Sequence, residues 1–391
     1  GVVRRGIAEV LYFDVKRDKI PLNTIDAAYM IRPQVGYIRI GSFGAYTYKE
    51  FMDAVKKLNK EGMKNLILDL QENGGGYMLS ATQIVNEFLG KNDLIVYTEG
   101  RNDKRREYHA DGNGKLRKIK VVVLVNEFSA SASEIVSGAL QDQDRGVIVG
   151  RRTFGKGLVQ RPIEFPDGSM MRLTIAHYYT PSGRCIQKPY TMGDESFYAQ
   201  DLVDRYQHGE YFSQDSIKHT GPAYHTHIGR VVYGGGGITP DIFIPEDTLG
   251  MTSYYKRAAM SGLILQFAYD YTDDNRAKLN GYRNMQSLYD YLKTQNLVER
   301  FASYADRNGL QRRNLMIRKS HKLLDQYINS RIIYNMLDEE AWNEYLNQDD
   351  DNIRAALNVF AQGKAFPKKL AVKKKAVRKV AVKRAVAKHR K

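Results

Sequence analysis

The segment Lys120–Val125, which is apolar throughout after its first residue, leads through a short polar link into a stretch rich in serine and alanine. Runs of β-branched residues favour a buried strand, whereas the apolar residues beyond position 134 recur with helical spacing. The sequence therefore predicts a strand that turns directly into a helix. Three serines, Ser129, Ser131 and Ser133, lie at that turn, where a hydroxyl can be presented beside the first amides of the helix.

The surrounding sequence extends this pattern into an α/β fold. Apolar runs of strand length alternate with amphipathic stretches from about residue 35 to residue 188. The predicted strands are 36–40, 66–70, 95–98, 120–125, 146–150 and 170–178, and the predicted helices are 47–60, 78–90 and 133–142. Beyond residue 251 glycine and proline become scarce and apolar residues follow helical spacing, which predicts a C-terminal helical region.

A second motif, Thr153 to Gln160, places Lys156 between two glycines and Gln160 four residues later. A serine hydroxyl is a weak nucleophile, so a base must take its proton as it attacks a carbonyl. An ordinary lysine, with a pKa of about 10.4, is protonated, but burial among apolar neighbours disfavours the charged form. If 156–165 is a strand, Lys156 and Gln160 share one face, and Gln160 can hold the amine without adding charge. The two motifs together indicate a serine nucleophile with a lysine base.

The same turn supplies electrostatic stabilisation. A serine at a helix start lies beside backbone N–H groups that can stabilise an oxyanion. A second donor is expected from Gly74–Gly76, which follow the apolar run Leu66–Leu70, because glycine amides approach a ligand closely. No Gly-Lys-Ser or Gly-Lys-Thr follows these glycines, so a phosphate-binding loop is not indicated.

Each motif also has a structural explanation when it is taken alone. Ser131 followed by Glu134 is a capping box, an isolated lysine is a solvated surface residue, and three glycines form a turn. Their joint occurrence in this order favours catalysis. The residues by themselves leave open which of Ser129, Ser131 and Ser133 is the nucleophile.

From Val35 to about Pro245 the sequence resembles the C-terminal processing peptidases, also called tail-specific proteases. The matching segments are Gly36–Ile40, Leu68–Gly76, Asn126–Gly138, Gly150–Gln160 and Tyr179–Gln187. The sequence differs from the family pattern at Gln71, where arginine is usual, and at Gly74, where proline is frequent. These differences lie outside the proposed dyad.

The resemblance implies a crotonase-like (ββα) peptidase core and a serine endopeptidase that acts through an acyl-enzyme, without a metal or other cofactor. It implies Ser131 as nucleophile, Lys156 as base, Gln160 as the partner of the lysine, and the amides of Ala132 and Gly75 as the oxyanion hole. The implied substrates are proteins or peptides cut near their C-termini in the bacterial cell envelope, most simply the periplasm.

Composition shifts predict four units. Residues 1–33, with a strand-like run at 9–15, resemble the end of a PDZ domain, with the domain itself missing or truncated. Residues 34–250 form the peptidase core, in which 190–230 is an insertion or surface excursion. Residues 251–362 form the helical region, which is a candidate dimerisation surface, and residues 363–391 form a basic tail. Any signal peptide or anchor would lie upstream.

Much of the positive charge of the chain lies in the C-terminal tail. Residues 368–391 hold 12 Lys/Arg and no acids, whereas the whole chain has a net charge of +16. A tail of this composition is predicted to be disordered, with contact to a polyanionic surface as its functional interpretation and no specific nucleic-acid recognition. The histidines at 208–227 and the acids at 349–351 lack the spacing of metal sites.

Two other functions compete with peptidase activity. One is a catalytically silent binding or scaffold protein on the same fold, against which the joint presence of serine, lysine and glutamine argues. The other is a crotonase-like enzyme such as an acyl-CoA hydratase, against which the absence of a pair of catalytic acids argues.

Overall fold

The structure, a computed structural model, describes residues 1–3, 7–18, 22–190, 196–219 and 221–367. The basic segment 368–391 lies outside the described residues. The strands are β1 (Ile25–Arg32), β2 (Val35–Ile40), β3 (Asn65–Asp69), β4 (Leu94–Glu99), β5 (Arg106–His109), β6 (Lys120–Val125), β7 (Val147–Gly150), β8 (Leu158–Glu164), β9 (Met170–Tyr179), β10 (Ala223–His225), β11 (Val231–Tyr233) and β12 (Ile242–Phe243).

The helices of the peptidase region and the helical region follow the same chain order. They are α1 (Thr47–Lys60), α2 (Met78–Asn86), α3 (Ala132–Asp142), α4 (Ser196–Gln207), α5 (Ser253–Met260), α6 (Leu263–Leu279), α7 (Met285–Leu292), α8 (Leu297–Arg307), α9 (Asn314–Lys319), α10 (His321–Met336), α11 (Glu339–Leu346) and α12 (Asp351–Ala361). The mixed α/β class predicted from the sequence is confirmed.

The central sheet has six strands in the order β1-β2-β3-β6-β7-β12. β1 and β2 form an antiparallel pair, and the remaining neighbours are parallel. Because successive side chains of a strand point to opposite faces, β6 contributes to two cores. Val121, Val123 and Val125 pack with α1, α2 and α3, whereas Val122 and Leu124 pack with α12.

The second sheet is antiparallel and has the order β5-β4-β9-β8. β8 is its edge strand, and it pairs with β9 from Leu158 to Glu164. Pro162 lies within β8, which is compatible with an edge because proline has no N–H to donate to a neighbouring strand. The hairpin extends the chain from the lysine motif into solvent.

The helical region is attached to the central sheet as well as having its own core. Helices α5 to α11 enclose a separate apolar cluster that includes Phe267, Phe301 and Ile328. The last helix, α12, instead covers the outer face of the sheet with Ile353 and Val359. The sheet is therefore buried on both faces, as parallel sheets require.

Several predicted elements differ from those observed. The prediction of a strand-like run at 9–15 is wrong: among the described residues, the β pairing of this run is limited to an isolated bridge between Val2 and Leu11. The predicted boundary at 33/34 falls inside the hairpin of β1 and β2, so the sheet already begins at Ile25. The interval 190–230 contains α4, whose Arg205 is buried and donates to the carbonyl of Thr153. These differences arise because strand pairing and helix docking depend on distant residues.

Among the described residues, no helix is both long enough and apolar enough to cross a membrane.

Candidate active site

Ser131 is the residue immediately before α3, at the end of the loop that follows β6. Its backbone has φ of 56° and ψ of −111°, a conformation that residues with a side chain rarely adopt. Such strain costs on the order of 1–3 kcal/mol and is typical of sites where a side chain must be presented in a fixed direction. The strand–turn–helix unit predicted from the sequence is thus present, with Ser131 at the turn.

The structure separates the three serines that the sequence could not distinguish. The Ser129 hydroxyl donates to the carbonyl of Leu70 at 2.7 Å, and the Ser133 hydroxyl donates to the carbonyl of Asn73 at 2.8 Å. Both serines are fully buried. Ser131 is partly exposed, and within the described chain its hydroxyl donates no hydrogen bond. Only Ser131 is therefore placed to meet a ligand.

Glu134, in the first turn of α3, joins the serine to the lysine motif. Its Oε2 accepts from the backbone N–H of Ser131 at 2.9 Å and of Lys156 at 2.8 Å, so these two nitrogens cannot lie further apart than the sum of both distances. Its Oε1 accepts from the Thr153 hydroxyl at 2.6 Å and the Gly155 N–H at 2.7 Å. Burial raises the pKa of the Glu134 carboxyl, and these four donors oppose the rise.

Tyr178, on β9, links the same two segments through their carbonyls. Its hydroxyl donates to the Ser131 carbonyl at 2.9 Å and shares its proton with the Lys156 carbonyl. The ring is buried, and burial raises the pKa of the phenol well above its ordinary value. The neutral phenol therefore acts as a fixed donor between the two motifs.

The side chain of Lys156 is partly exposed, and in the described part of the chain its ammonium forms no ion pair. Lys156 precedes the strand, because β8 begins at Leu158 rather than at 156 as predicted. Gln160 is exposed on β8, four residues after the lysine. The structure brings the backbone of Lys156 to Ser131, whereas Gln160 remains an expected partner of the amine.

The glycine loop lies directly against the serine. A Cβ atom on Gly75 would come within 2.6 Å of Ser131 Cβ and 2.8 Å of the Ala132 nitrogen, and Gly75 has φ of 97°. Glycine is therefore required there on both steric and backbone grounds. The Gly75 N–H donates to Asn73 Oδ1 at 2.8 Å, so it must leave that acceptor to bind an oxyanion. The amide of Ala132, in the first turn of α3, lies beside it.

Sequence reasoning missed two of the residues that assemble this site. Glu134 was recognised only as a capping residue, and its contacts with the lysine motif cross 21 and 22 positions. Tyr178 gave no local signal, since it lies 47 residues from Ser131. No group of three or more His, Cys, Asp or Glu that could hold a metal ion occurs among the described residues.

Two family models match this chain. Residues 34–197 match peptidase family S41, and residues 254–338 match a family of unknown function, DUF8443. This S41 core contains Ser131, Lys156, Gly75 and both segments joined by Glu134. The resemblance to C-terminal processing peptidases is confirmed.

Curated relatives agree with this assignment over the same core. The chain is 40% identical over 157 residues to the chloroplastic C-terminal processing peptidase of Tetradesmus obliquus, covering 40% of this chain and 34% of that protein. It is 42% identical over 161 residues to the carboxyl-terminal-processing protease of Synechocystis, covering 41% and 37%. The chain thus spans less than half the length of these relatives.

A solved structure, titled photosystem II D1 C-terminal processing protease, is 28% identical to this chain. The match has a TM-score of 0.40 and covers 59% of this chain and 50% of that one.

Proposed function

We propose that this chain is a serine endopeptidase in which Ser131 is the nucleophile and Lys156 the general base. The observation that carries this proposal is the shared carboxylate oxygen of Glu134, which binds the backbone amides of both residues. The partial exposure of Ser131, in contrast to the buried and occupied Ser129 and Ser133, supports the choice of nucleophile.

The reaction follows from these roles. Ser131 Oγ attacks the scissile carbonyl carbon while Nζ of Lys156, as general base, takes the hydroxyl proton. The resulting oxyanion is held by the amides of Ala132 and Gly75, the latter after it leaves Asn73. Lys156 then passes the proton to the leaving amine, and an acyl ester remains on Ser131. Water, deprotonated by the same lysine, hydrolyses that ester, and Gln160 orients the amine throughout.

The substrate is a polypeptide bound in extended form. β8 follows Lys156 directly and is the edge of its sheet, so its outer backbone groups are available to pair with an added strand. By analogy with the C-terminal processing peptidases, whose names refer to the C-terminus, we propose cleavage near protein C-termini. The proposed compartment is the bacterial envelope, the periplasm in the simplest case, and the core is proposed to be crotonase-like.

The test uses a serine-reactive phosphonate probe and casein cleavage, with peptide mapping of the labelled residue. Ser131→Ala and Lys156→Ala are expected to lower the cleavage rate by about 10⁴-fold or more while the proteins remain folded. Ser169→Ala and Lys104→Ala, at exposed positions away from the site, are matched controls that keep activity. Cleavage at the unmodified rate by folded Ser131→Ala, or a probe adduct on another residue, would refute the proposal. A folded but unreactive parent protein would support the silent scaffold instead.

A further inference from the structure

The backbone before Lys156 is held by a helix, α4, most of which lies beyond the residues matched to the S41 family. We propose that α4 is a clamp that fixes this backbone for catalysis, with Arg205 as its positioning residue. The inference rests on the proposed function, because it assigns to Arg205 a role in placing the general base. Arg205 and Asp201, which form the clamp on α4, both follow residue 197, where the family match ends.

The segment Arg152–Gly157 belongs to no helix or strand, so its polar backbone groups need partners from elsewhere. Arg205 supplies them for two carbonyls. Its Nη1 donates to Thr153 O at 2.9 Å and its Nη2 donates to Phe154 O at 3.3 Å. The next carbonyl, that of Gly155, accepts from the backbone N–H of Lys188 at 3.0 Å. Three consecutive carbonyls before Lys156 are therefore fixed.

The charge of Arg205 is balanced inside the protein. The residue is 1% exposed, and its Nε lies 3.1 Å from Oδ2 of Asp201, one turn earlier on α4. Asp201 also binds the ammonium of Lys188 at 2.8 Å. That ammonium lies 3.9 Å from the centre of the Phe154 ring, which belongs to the same segment. One carboxylate thus ties both cations to α4 and, through them, to the lysine segment.

The acidic residue Glu134 and the basic residue Arg205 therefore bind different backbone groups of the segment Arg152–Gly157. Glu134 accepts from the amides of Gly155 and Lys156, while Arg205 donates to the carbonyls of Thr153 and Phe154. A planar guanidinium can bind two adjacent carbonyls at once, which a lysine ammonium cannot do with the same geometry. A shift of about 1 Å in a catalytic group lowers a rate by about 100-fold, so loss of this hold is expected to act mainly on the chemical step.

The experiment measures kcat and KM for a peptide substrate and the rate of phosphonate labelling of Ser131. Arg205→Ala is expected to lower kcat and the labelling rate by about 10- to 100-fold, with KM within about threefold of the parent value. Arg205→Lys, which keeps the positive charge, is expected to have a kcat and a labelling rate between those of the parent and those of Arg205→Ala. Guanidinium ion at millimolar concentration should restore part of the Arg205→Ala activity, whereas equal sodium chloride should not. Asp204→Ala, at the exposed neighbouring position of α4, is the control and should behave as the parent.

The outcomes separate this inference from the proposed function. Equal kcat and labelling in the parent and in folded Arg205→Ala would overturn the clamp and leave the serine–lysine assignment intact. A change in KM alone, or in thermal stability without a change in kcat, would also overturn it. Absence of Ser131 labelling in the parent would overturn the proposed function and the clamp with it. If Arg205→Ala does not fold, Arg205→Lys decides by the same criterion, with an expected three- to tenfold loss in kcat.

Discussion

The two halves of the candidate dyad are built in opposite ways. Ser131 precedes α3, in which every residue is buried, whereas Lys156 leads into β8, in which no residue is buried. The proposed nucleophile is therefore positioned by apolar packing of a strand and a helix. The segment that carries the proposed base is held by polar groups from α3, α4 and β9. A site of this kind has one half that is fixed by the core and another that depends on a few hydrogen bonds.

This difference suggests how substitutions should separate stability from activity. Changes around the serine turn remove buried interactions of the core, so they are expected to lower the free energy of unfolding. Changes around the lysine segment remove hydrogen bonds that orient one backbone stretch, so they are expected to lower kcat more than stability. Glu134 belongs to both halves and should affect both quantities.

Among the residues that support the proposed dyad, the largest effect on stability and kcat is expected for Glu134→Gln. Each carboxylate oxygen accepts from two donors, and three of these four donors are backbone amides that cannot reverse their role. An amide NH₂ in place of Oε2 would face two backbone N–H donors with no acceptor, and in place of Oε1 it would face the N–H of Gly155. We expect a loss of about 3 kcal/mol in the free energy of unfolding and about 100-fold in kcat. Denaturant titration and peptide hydrolysis measure the two effects.

Glu127→Gln is the matched control for that substitution. Glu127 is also buried and lies in the loop before α3, but it pairs with Arg151 instead of the lysine segment. The Glu127→Gln variant should be less stable than the parent, while its kcat stays within a few-fold of the parent value. If Glu127→Gln and Glu134→Gln lowered kcat equally, the link from serine to lysine would have no special role.

An intermediate loss of stability is expected when Ser129 or Ser133, the serines on either side of Ser131, is replaced by alanine. Ser129→Ala removes the donor to Leu70 O and the acceptor of the Asn126 N–H, so about 2 kcal/mol of stability should be lost. Ser133→Ala should cost about 1 kcal/mol, because Asn73 O still accepts from the Ala130 N–H at 3.0 Å. Both should retain phosphonate labelling at Ser131. Loss of labelling in a folded Ser129→Ala or Ser133→Ala protein would contradict the assignment of the nucleophile.

The same comparison explains what the sequence could and could not predict. The serine half follows from local pattern, since the apolar run of β6 and the helical spacing of α3 adjoin the turn itself. Local pattern left the choice among the three serines open, and only the family resemblance implied Ser131, because the partners that distinguish Ser129 and Ser133 lie 59 and 60 residues away. The clamp on the lysine half comes from Arg205, 52 residues from Thr153, in a segment without clear periodicity. Residues that act across such separations leave no local sequence signal.

The smallest effect is expected for Gln160, which the sequence places as the partner of the lysine amine. Gln160 is exposed, lies on the edge strand β8, and in the described chain makes no side-chain hydrogen bond. Gln160→Ala should therefore leave stability within about 0.5 kcal/mol of the parent, as is usual for exposed positions. If its amide meets Lys156 only when substrate is bound, kcat should fall by about three- to tenfold with little change in KM. Arg161→Ala, at the next exposed position of β8, is the control. Equal kcat and KM for both variants would mean that Gln160 does not orient the amine. The hydrogen bonds to the backbone of the lysine segment would then be all that positions Lys156.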